Sequence, residues 1–283
     1  MQSVKLFYLI YNKQILTGLE HSQYEHDFDR AALEKLESIP FLTKASQWVT
    51  ANFIERVYTV QYTGSNLKVT KDNYPQIHQY LVDACKIFDV DRVPALYIGW
   101  GYQINACTVG AENPIIILNS GLIDLCDDDE IMFIIGHECG HIKSNHMLYH
   151  MMAQTINFVI DAIPGGSLLA GGLQYALYYW DRMSEFTADR AGLLCCQNQE
   201  AMIRTFIKMA GLPIKEFDNI QTNTFLQQSR DFQMLDYDGM NKVVKFLSIA
   251  DSTHPWTVMR SSELLKWIDA GEYDKFVNKR YLK

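Results

Sequence analysis

The sequence predicts an α+β fold that is mostly helical, with a small β-sheet beside one buried helix. Two observations predict this class. Short apolar runs between residues 94 and 118 have the length of strands and are separated by glycine, proline and asparagine. An apolar stretch without proline follows near 129–146, and the chain beyond it is mostly helical in its apolar spacing.

Each element follows from local spacing. Residues 94–98, 104–109 and 114–118 predict three strands, the last of which ends at an Asn-Ser-Gly sequence. Residues 74–88 predict an amphipathic helix, because apolar side chains recur every three or four positions. Residues 58–70 alternate and contain a Gly-Ser-Asn sequence, which predicts a hairpin.

The predicted helix 129–146 contains an HExxH pentad that runs from His137 to His141. Histidines four residues apart share one helix face, with Cβ atoms about 5–6 Å apart, so both rings can bind one zinc ion. Glu138 is turned about 100° around the axis from the first histidine. Its carboxylate can therefore reach a water held by the metal, which is the position of a general base in a metal-assisted hydrolase.

A catalytic zinc keeps three protein ligands, so one more ligand must come from elsewhere in the chain. Glu185 and Asp189 lie four apart in the predicted helix 180–191 and share a face. One carboxylate can bind zinc, and the other can accept the free ring N–H of a ligating histidine and fix its tautomer. Without the pentad, the pair would instead indicate a solvated acidic face balanced by Arg182 and Arg190.

These motifs resemble those of the zinc metallopeptidases of the gluzincin clan that include the CAAX prenyl endopeptidase and the bacterial HtpX-like heat-shock proteases. In that family, HExxH is followed by a distal ExxxD whose glutamate is the third ligand. The resemblance implies a zincin-like fold in which His137, His141 and Glu185 bind one zinc ion. It also implies that Glu138 is the base and that Asp189 supports a ligand from outside the coordination sphere.

The resemblance extends over about residues 60–270. Within the family, the chain most resembles a soluble branch. Asn105, Ala106 and Cys107 resemble the Asn-Ala-aromatic edge strand that precedes the active helix, with cysteine at the aromatic position. The implied role of this strand is to pair with an extended peptide substrate.

Near the C-terminus, His254 and Pro255, together with Arg260, resemble the family's His-Pro signature. The resemblance implies that His254 stabilises the oxyanion of the tetrahedral intermediate or occupies the open zinc position at rest. His254 also suits the start of a helix, because proline is favoured at the first helical position. His146 and His150 are interpreted as surface residues or as residues that support a ligand.

Composition excludes other classes of function. The net charge of −8 argues against a nucleic-acid-binding protein, which would be basic. Six cysteines have no spacing typical of a disulfide framework, so we expect reduced thiols and a cytoplasmic protein. Cys139 lies within the pentad but is expected to face away from its histidines. The cysteines are Cys85, Cys107, Cys126, Cys139, Cys195 and Cys196.

The most membrane-like stretch is 151–180. Asp161 and the Pro-Gly-Gly sequence at 164–166 divide it into pieces shorter than the ~20 residues of a spanning helix. We therefore expect a helical hairpin that packs against the zinc helices, with attachment to a membrane surface as the less favoured alternative. The N-terminus has no signal-peptide cleavage site, so secretion is not expected.

The sequence thus predicts a zinc-dependent endopeptidase that hydrolyses peptides or proteins through a zinc-activated water, with Glu138 as general base. A helical segment over 1–60 would pack on a catalytic domain over 61–283. The first alternative is a latent zinc-binding protein, chaperone-like or regulatory, with little proteolysis. A hydrolase of non-peptide substrates that uses the same zinc water is a second alternative.

Overall fold

The computed structural model describes residues 13–38, 55–153, 166–235 and 256–277. Within these ranges the protein is mostly helical with one four-stranded sheet, which confirms the predicted α+β class. His254 lies outside the described residues, so its role remains a prediction.

The helices account for most of the described chain. A further helical stretch over 147–153 follows α5, and short 3₁₀ helices lie at His21–Gln23 and Ile214–Asn219. The α-helices are α1 (Asp27–Glu37), α2 (Glu55–Ser65), α3 (Pro75–Ile87), α4 (Ser120–Leu125), α5 (Asp128–Lys143), α6 (Gly166–Cys196), α7 (Gln199–Met209), α8 (Thr222–Met234), α9 (Thr257–Asp269) and α10 (Asp274–Val277).

The sheet consists of β1 (Leu67–Lys68), β2 (Ala95–Gly99), β3 (Ala106–Val109) and β4 (Ile115–Asn119) in the order β1-β2-β4-β3. β2 and β4 are parallel, whereas β3 is antiparallel to β4. The three strands predicted between 94 and 118 are confirmed. β3 is an edge strand of this sheet.

The two faces of the sheet pack against different helices. Leu96, Ile116 and Leu118 join the main core with residues of α5, such as Ile131 and Ile135. This arrangement confirms the predicted small sheet beside the pentad helix.

The opposite face of the sheet packs against α2, where we predicted a hairpin. That prediction is wrong for most of 58–70, because only β1 is extended. Tyr58 and Tyr62, one helical turn apart, stack with ring centroids 5.9 Å apart and pack beside Tyr97 and Ile117. An alternating apolar pattern that includes positions i and i+4 fits a helix face as well as a strand.

Helix α5 begins and ends at clear sequence signals. Asp127 caps its N-terminus in a capping box with Glu130, whose carboxylate accepts from the Asp127 amide. At the other end Asn145 has a left-handed φ of 55°. The amides of Asn145 and His146 bond the carbonyls of residues 142 and 141, which is a Schellman motif. The helix therefore ends before the predicted residue 146, and the turn brings His146 back toward the pentad.

Two glycines let α5 approach α6 closely. A Cβ atom on Gly136 would lie 2.3 Å from Cβ of Cys195, and one on Gly140 would lie 2.4 Å from Cβ of Ala191. Any side chain at these positions would force the helices apart. The glycine within the pentad thus allows the distal carboxylates of α6 to reach its histidines.

The predicted hairpin over 151–180 is only partly described, because residues 154–165 lie outside the described ranges. From residue 166 the chain continues as α6 to Cys196. Among the described residues, no helix has both the length and the apolar character needed to cross a bilayer.

Candidate metal centre

Three buried side chains from α5 and α6 converge on one point. Nε2 of His137 and Nε2 of His141 lie 3.1 Å apart. The carboxylate of Glu185 places Oε2 3.6 Å from the first of these nitrogens and Oε1 3.4 Å from the second. The structure therefore brings together all three ligands predicted from the sequence.

The spacing of these atoms fits a tetrahedral zinc ion. Zn–N bonds of about 2.0–2.1 Å place neighbouring ligand atoms about 3.3 Å apart, and two imidazoles with one carboxylate form a common catalytic donor set. Burial lowers the pKa of His141 well below its ordinary value, although Glu185 opposes the shift. The ring is therefore neutral, as a metal ligand must be.

A charged pair supports the ring of His137. Its Nδ1 lies 3.1 Å from Oδ1 of Asp189, and Arg260 Nε donates to Oδ2 of the same carboxylate at 2.8 Å. When Nε2 of the ring binds a metal, Nδ1 carries the proton and donates it to Asp189. Arg260 Nη2 also lies 3.3 Å from this Nδ1. Arg260 Nη1 also lies 3.2 Å from Glu185 Oε2, so one guanidinium holds both acidic residues of the distal motif.

A second histidine supports the ring of His141. The Nδ1 atoms of His141 and His146 lie 3.0 Å apart, and Nε2 of His146 lies 3.1 Å from Oδ2 of Asp29 on α1. Thr187 Oγ1 also donates to that oxygen, at 2.6 Å. Burial alone would raise the pKa of Asp29, but His146 and Thr187 outweigh it and lower the pKa. His146 is 1% exposed, so the surface interpretation is wrong and the supporting one fits.

A third histidine near His141, His150, makes the contacts of both its ring nitrogens with other residues. Its Nδ1 lies 2.9 Å from Asp181 Oδ1 and its Nε2 lies 3.0 Å from Ser184 Oγ. Ser184 donates its own proton to the carbonyl of residue 181, so its oxygen can only accept from His150. Both ring nitrogens are therefore donors. Burial alone would lower the pKa of His150, but Asp181 raises it.

While its ring is doubly protonated, His150 cannot serve two functions that its neighbours suggest. The ring nitrogens of His141, His146 and His150 lie within 4.8 Å of one another, which resembles a second cation site. A doubly protonated imidazole has no lone pair for a metal. It also cannot act as the base of a Ser-His-Asp triad, even though all three residue types are in contact.

Glu138 lies beside the three converging ligands and is held from the sheet. Thr108 Oγ1 on β3 donates to Glu138 Oε2 at 2.6 Å, and both side chains are buried. Burial raises the pKa of the Glu138 carboxyl, partly offset by His137 and by the Thr108 hydrogen bond. A carboxylate with raised proton affinity is well suited to accept a proton from water.

The predicted substrate strand lies along the open edge of the sheet. The carbonyl of Asn105 accepts from the amide of Asn119, so this residue faces β4. Because hydrogen bonding alternates along an antiparallel strand, Cys107 also faces β4, whereas Ala106 and Thr108 turn their backbone groups toward the open edge. The side chain of Cys107 packs with the tyrosines of α2, away from the pentad.

Several residues at this centre were missed from the sequence. Thr108 could have been found, because it is a polar residue at a core-facing position of a predicted strand. Arg260 was noted only as part of a signature near the C-terminus. Asp29 and Thr187 have no sequence spacing that relates them to the pentad.

Comparison with known proteins agrees with this geometry. The profile of Peptidase family M48 matches residues 75–268, which include all three converging side chains. The chain belongs to this family. It is therefore a metalloendopeptidase, which requires a divalent metal and hydrolyses peptide bonds, and the HtpX-like resemblance is confirmed.

Proteins similar to this chain include a metallopeptidase and several proteases. The chain is 25% identical over 268 residues to the plastoglobule-localized metallopeptidase 48 of Arabidopsis thaliana, covering 94% of this chain and 78% of the relative. It is 27% identical to an HtpX homologue of Helicobacter pylori, covering 70% of this chain and 69% of the relative. For an HtpX homologue of Salinibacter ruber, the identity is 28% and the coverage is 45% of this chain and 44% of the relative. No solved structure matches the chain significantly.

Proposed function

We propose that the protein is a zinc-dependent endopeptidase in which His137, His141 and Glu185 hold one zinc ion per chain. The observation that supports the proposal most is the separation of 3.1–3.6 Å between the Nε2 atoms of the two histidines and the carboxylate oxygens of Glu185. Glu138, which follows the first histidine and is held by Thr108, is the general base.

The chain's own residues have separate tasks in this reaction. When bound, zinc supplies the Lewis acidity that activates water and polarises the scissile carbonyl. Glu138 accepts a proton from the attacking water and later delivers it to the leaving amine. Thr108 keeps one carboxylate oxygen of Glu138 in place, so that the other can face the reacting atoms. Asp189 and His146 hold the two ligand rings in a fixed orientation.

The edge strand β3 is the proposed binding site for the substrate backbone. Ala106 and Thr108 direct backbone groups outward, although the Ala106 amide also bonds to the side chain of Asn105 at 3.0 Å. An extended peptide can add to such an edge by main-chain hydrogen bonds. Because the Thr108 side chain contacts Glu138, a peptide bound along this strand would pass directly beside the general base.

The proposed base is tested by Glu138→Gln, which keeps the shape of the side chain but removes the carboxylate. We expect zinc content to stay at one ion per chain while casein cleavage falls by roughly 10²–10⁴-fold, the usual contribution of general-base catalysis. Glu200→Gln is a matched control, because Glu200 lies on α7 with a side chain that is 73% exposed. Cleavage by Glu138→Gln at the wild-type rate would refute the base assignment.

The metal assignment is tested in the same experiment with His137→Ala and Glu185→Ala. Both variants should lose zinc in elemental analysis. Wild-type protein that holds zinc but cleaves neither casein nor a peptide library would instead favour the latent zinc-binding alternative.

A further inference from the structure

The support of His141 comes from outside the segment that matches the family. Asp29 lies on α1, whereas the family match begins at residue 75. Its side chain is completely buried and accepts from His146 and Thr187. A buried carboxylate is strongly disfavoured unless donors compensate it. Both contacts reach Oδ2 and fix the position of that oxygen, whereas the buried Oδ1 has no hydrogen-bond partner among the described residues.

Proton positions along this chain of contacts follow from the ligand geometry. Nε2 of His141 faces His137 and Glu185, so its lone pair is needed there and Nδ1 must carry the proton. That proton can only be donated to Nδ1 of His146, which places the His146 proton on Nε2. Nε2 of His146 then donates to Asp29.

We propose that Asp29, acting through His146, is a positioning residue that fixes the orientation and tautomer of the metal ligand His141. The proposal rests on the ligand assignment made under the proposed function. It extends the functional unit of the peptidase to α1. Here Asp29 carries the charge, and His146 transmits its effect to the ligand.

Helix α1 is held firmly enough for this task. His26 caps it by accepting from the amide of residue 28, and its own amide donates to Thr187 Oγ1 at 3.0 Å. Arg190 donates to the carbonyls of Tyr24 and Glu25. Thr187 and Arg190 belong to α6, which also carries the ligand Glu185 and the supporting residue Asp189. One helix therefore anchors α1 and contributes to the metal centre.

A carboxylate at this position does more than fill space. An asparagine of the same size could present either its oxygen or its NH₂ group, so it would no longer force His146 to protonate Nε2. The negative charge also polarises the two rings and raises the basicity of the ligand nitrogen. Loss of the charge should therefore weaken metal binding even when the fold is intact.

The test is zinc affinity, measured by competition with a chelator on the full chain. We expect Asp29→Asn and His146→Gln each to raise the dissociation constant for zinc by about 10–100-fold, the usual effect of removing an outer partner of a ligating histidine. Asp27→Asn is the matched control, because its side chain lies on the same helix and is 87% exposed. It should leave zinc affinity unchanged. Unchanged affinity in Asp29→Asn would overturn the proposal.

Unfolding of the metal-free proteins separates positioning from folding. If Asp29 only stabilised the fold, Asp29→Asn would lower the unfolding temperature of the metal-free chain and leave the zinc affinity of the folded fraction intact. That result would count against the proposal. Thr187→Ser keeps the hydroxyl that donates to Asp29 and should retain wild-type zinc affinity.

A spectroscopic test needs no variant. In the zinc-loaded wild type, ¹H–¹⁵N correlations of the imidazoles should show His141 protonated at Nδ1 and His146 protonated at Nε2. A His146 ring protonated at Nδ1, or a second zinc ion bound there, would contradict the proposed positions of the protons on His141 and His146. His141→Ala distinguishes the two proposals, because retention of tight zinc binding in that variant would refute the metal site itself rather than the role of Asp29.

Discussion

The two histidines of the pentad are supported in physically different ways. Nδ1 of His137 contacts Asp189 directly, and the charge of Asp189 is balanced by Arg260. His141 instead reaches its carboxylate, Asp29, through a second imidazole. The first support lies entirely within the segment that matches the family, whereas the second ends on a helix before it. One short motif can therefore depend on two separate parts of the chain.

The difference lies in how each buried charge is balanced. On the His137 side, Arg260 faces both Glu185 and Asp189, so removal of either acid leaves a cation with less compensation. On the His141 side, a single carboxylate is held by one imidazole and one hydroxyl, with no guanidinium among the contacts described for it. We therefore expect changes on the first side to affect folding strongly and changes on the second to act mainly on metal binding.

The largest expected effect comes from Asp189→Ala. This change leaves the guanidinium of Arg260 buried with only part of its compensation, and breaking a buried pair typically costs about 3–5 kcal/mol of unfolding free energy. Urea denaturation of the metal-free protein measures this cost. Asp124→Ala is the control, because Asp124 is exposed. A loss of unfolding free energy below about 1 kcal/mol would contradict the expectation that changes on the His137 side affect folding strongly.

The next largest effect separates the proposed base, Glu138, from the residues that support the two histidines. Thr108→Val removes the hydroxyl that donates to Glu138, and hydrogen bonds to charged groups contribute about 1.5–3 kcal/mol. We expect kcat to fall by roughly 10–100-fold with zinc affinity unchanged. Thr108→Ser, which keeps the hydroxyl, should retain most of the activity. A fall in zinc affinity instead would show that β3 supports the metal rather than the base.

Sequence spacing predicted the parts of the centre that lie on single helices. The pentad and the distal pair are each i, i+4 patterns, so a helical prediction places their side chains on one face. The role of Gly140 could not be predicted from spacing, because this glycine acts by allowing α6 to approach α5 closely. The strands between 94 and 118 were predictable from their length and flanking residues.

The support of His141 could not be predicted in this way. His146 reaches His141 only because the helix ends in a Schellman motif at Asn145, whereas a helix continued to 146 would turn the side chain elsewhere. Asp29 is brought to it by packing of α1 on α6, which no local pattern encodes. The hairpin predicted over 58–70 failed for a related reason, since packing against the sheet selected the helix.

A smaller effect tests whether α9, which supports His137 through Arg260, also stabilises the position of α1. Besides Arg260, this helix carries Glu263, whose carboxylate lies 3.5 Å from His26 Nε2 at the start of α1 and 2.7 Å from Lys266 Nζ. Burial alone would raise the pKa of Glu263, but these two contacts lower it below the ordinary value of 4.5. The stabilisation is therefore present above pH 4.5 and is lost as the pH falls through the lowered pKa.

Glu263→Gln should accordingly lower the unfolding free energy by about 1 kcal/mol at pH 7, the size of a typical hydrogen-bond contribution. The difference from wild type should disappear in acid, once the carboxyl of the folded wild type is protonated. Glu272→Gln serves as the control, because that side chain is 45% exposed. A difference that grows as the pH falls would have the wrong sign for this contact.

The smallest expected effect is the coupling free energy between Asp29 and Asp189 in zinc binding. Asp29→Asn and Asp189→Asn should each weaken zinc binding through a different ring. If the rings respond independently, the two losses in binding free energy should add to within about 0.5 kcal/mol in the double variant. Coupling could arise through α6, because this helix carries Asp189 and also Thr187, which donates to Asp29. A double variant no weaker in zinc binding than the worse single variant would therefore mean that both histidines are held by one rigid unit rather than by two.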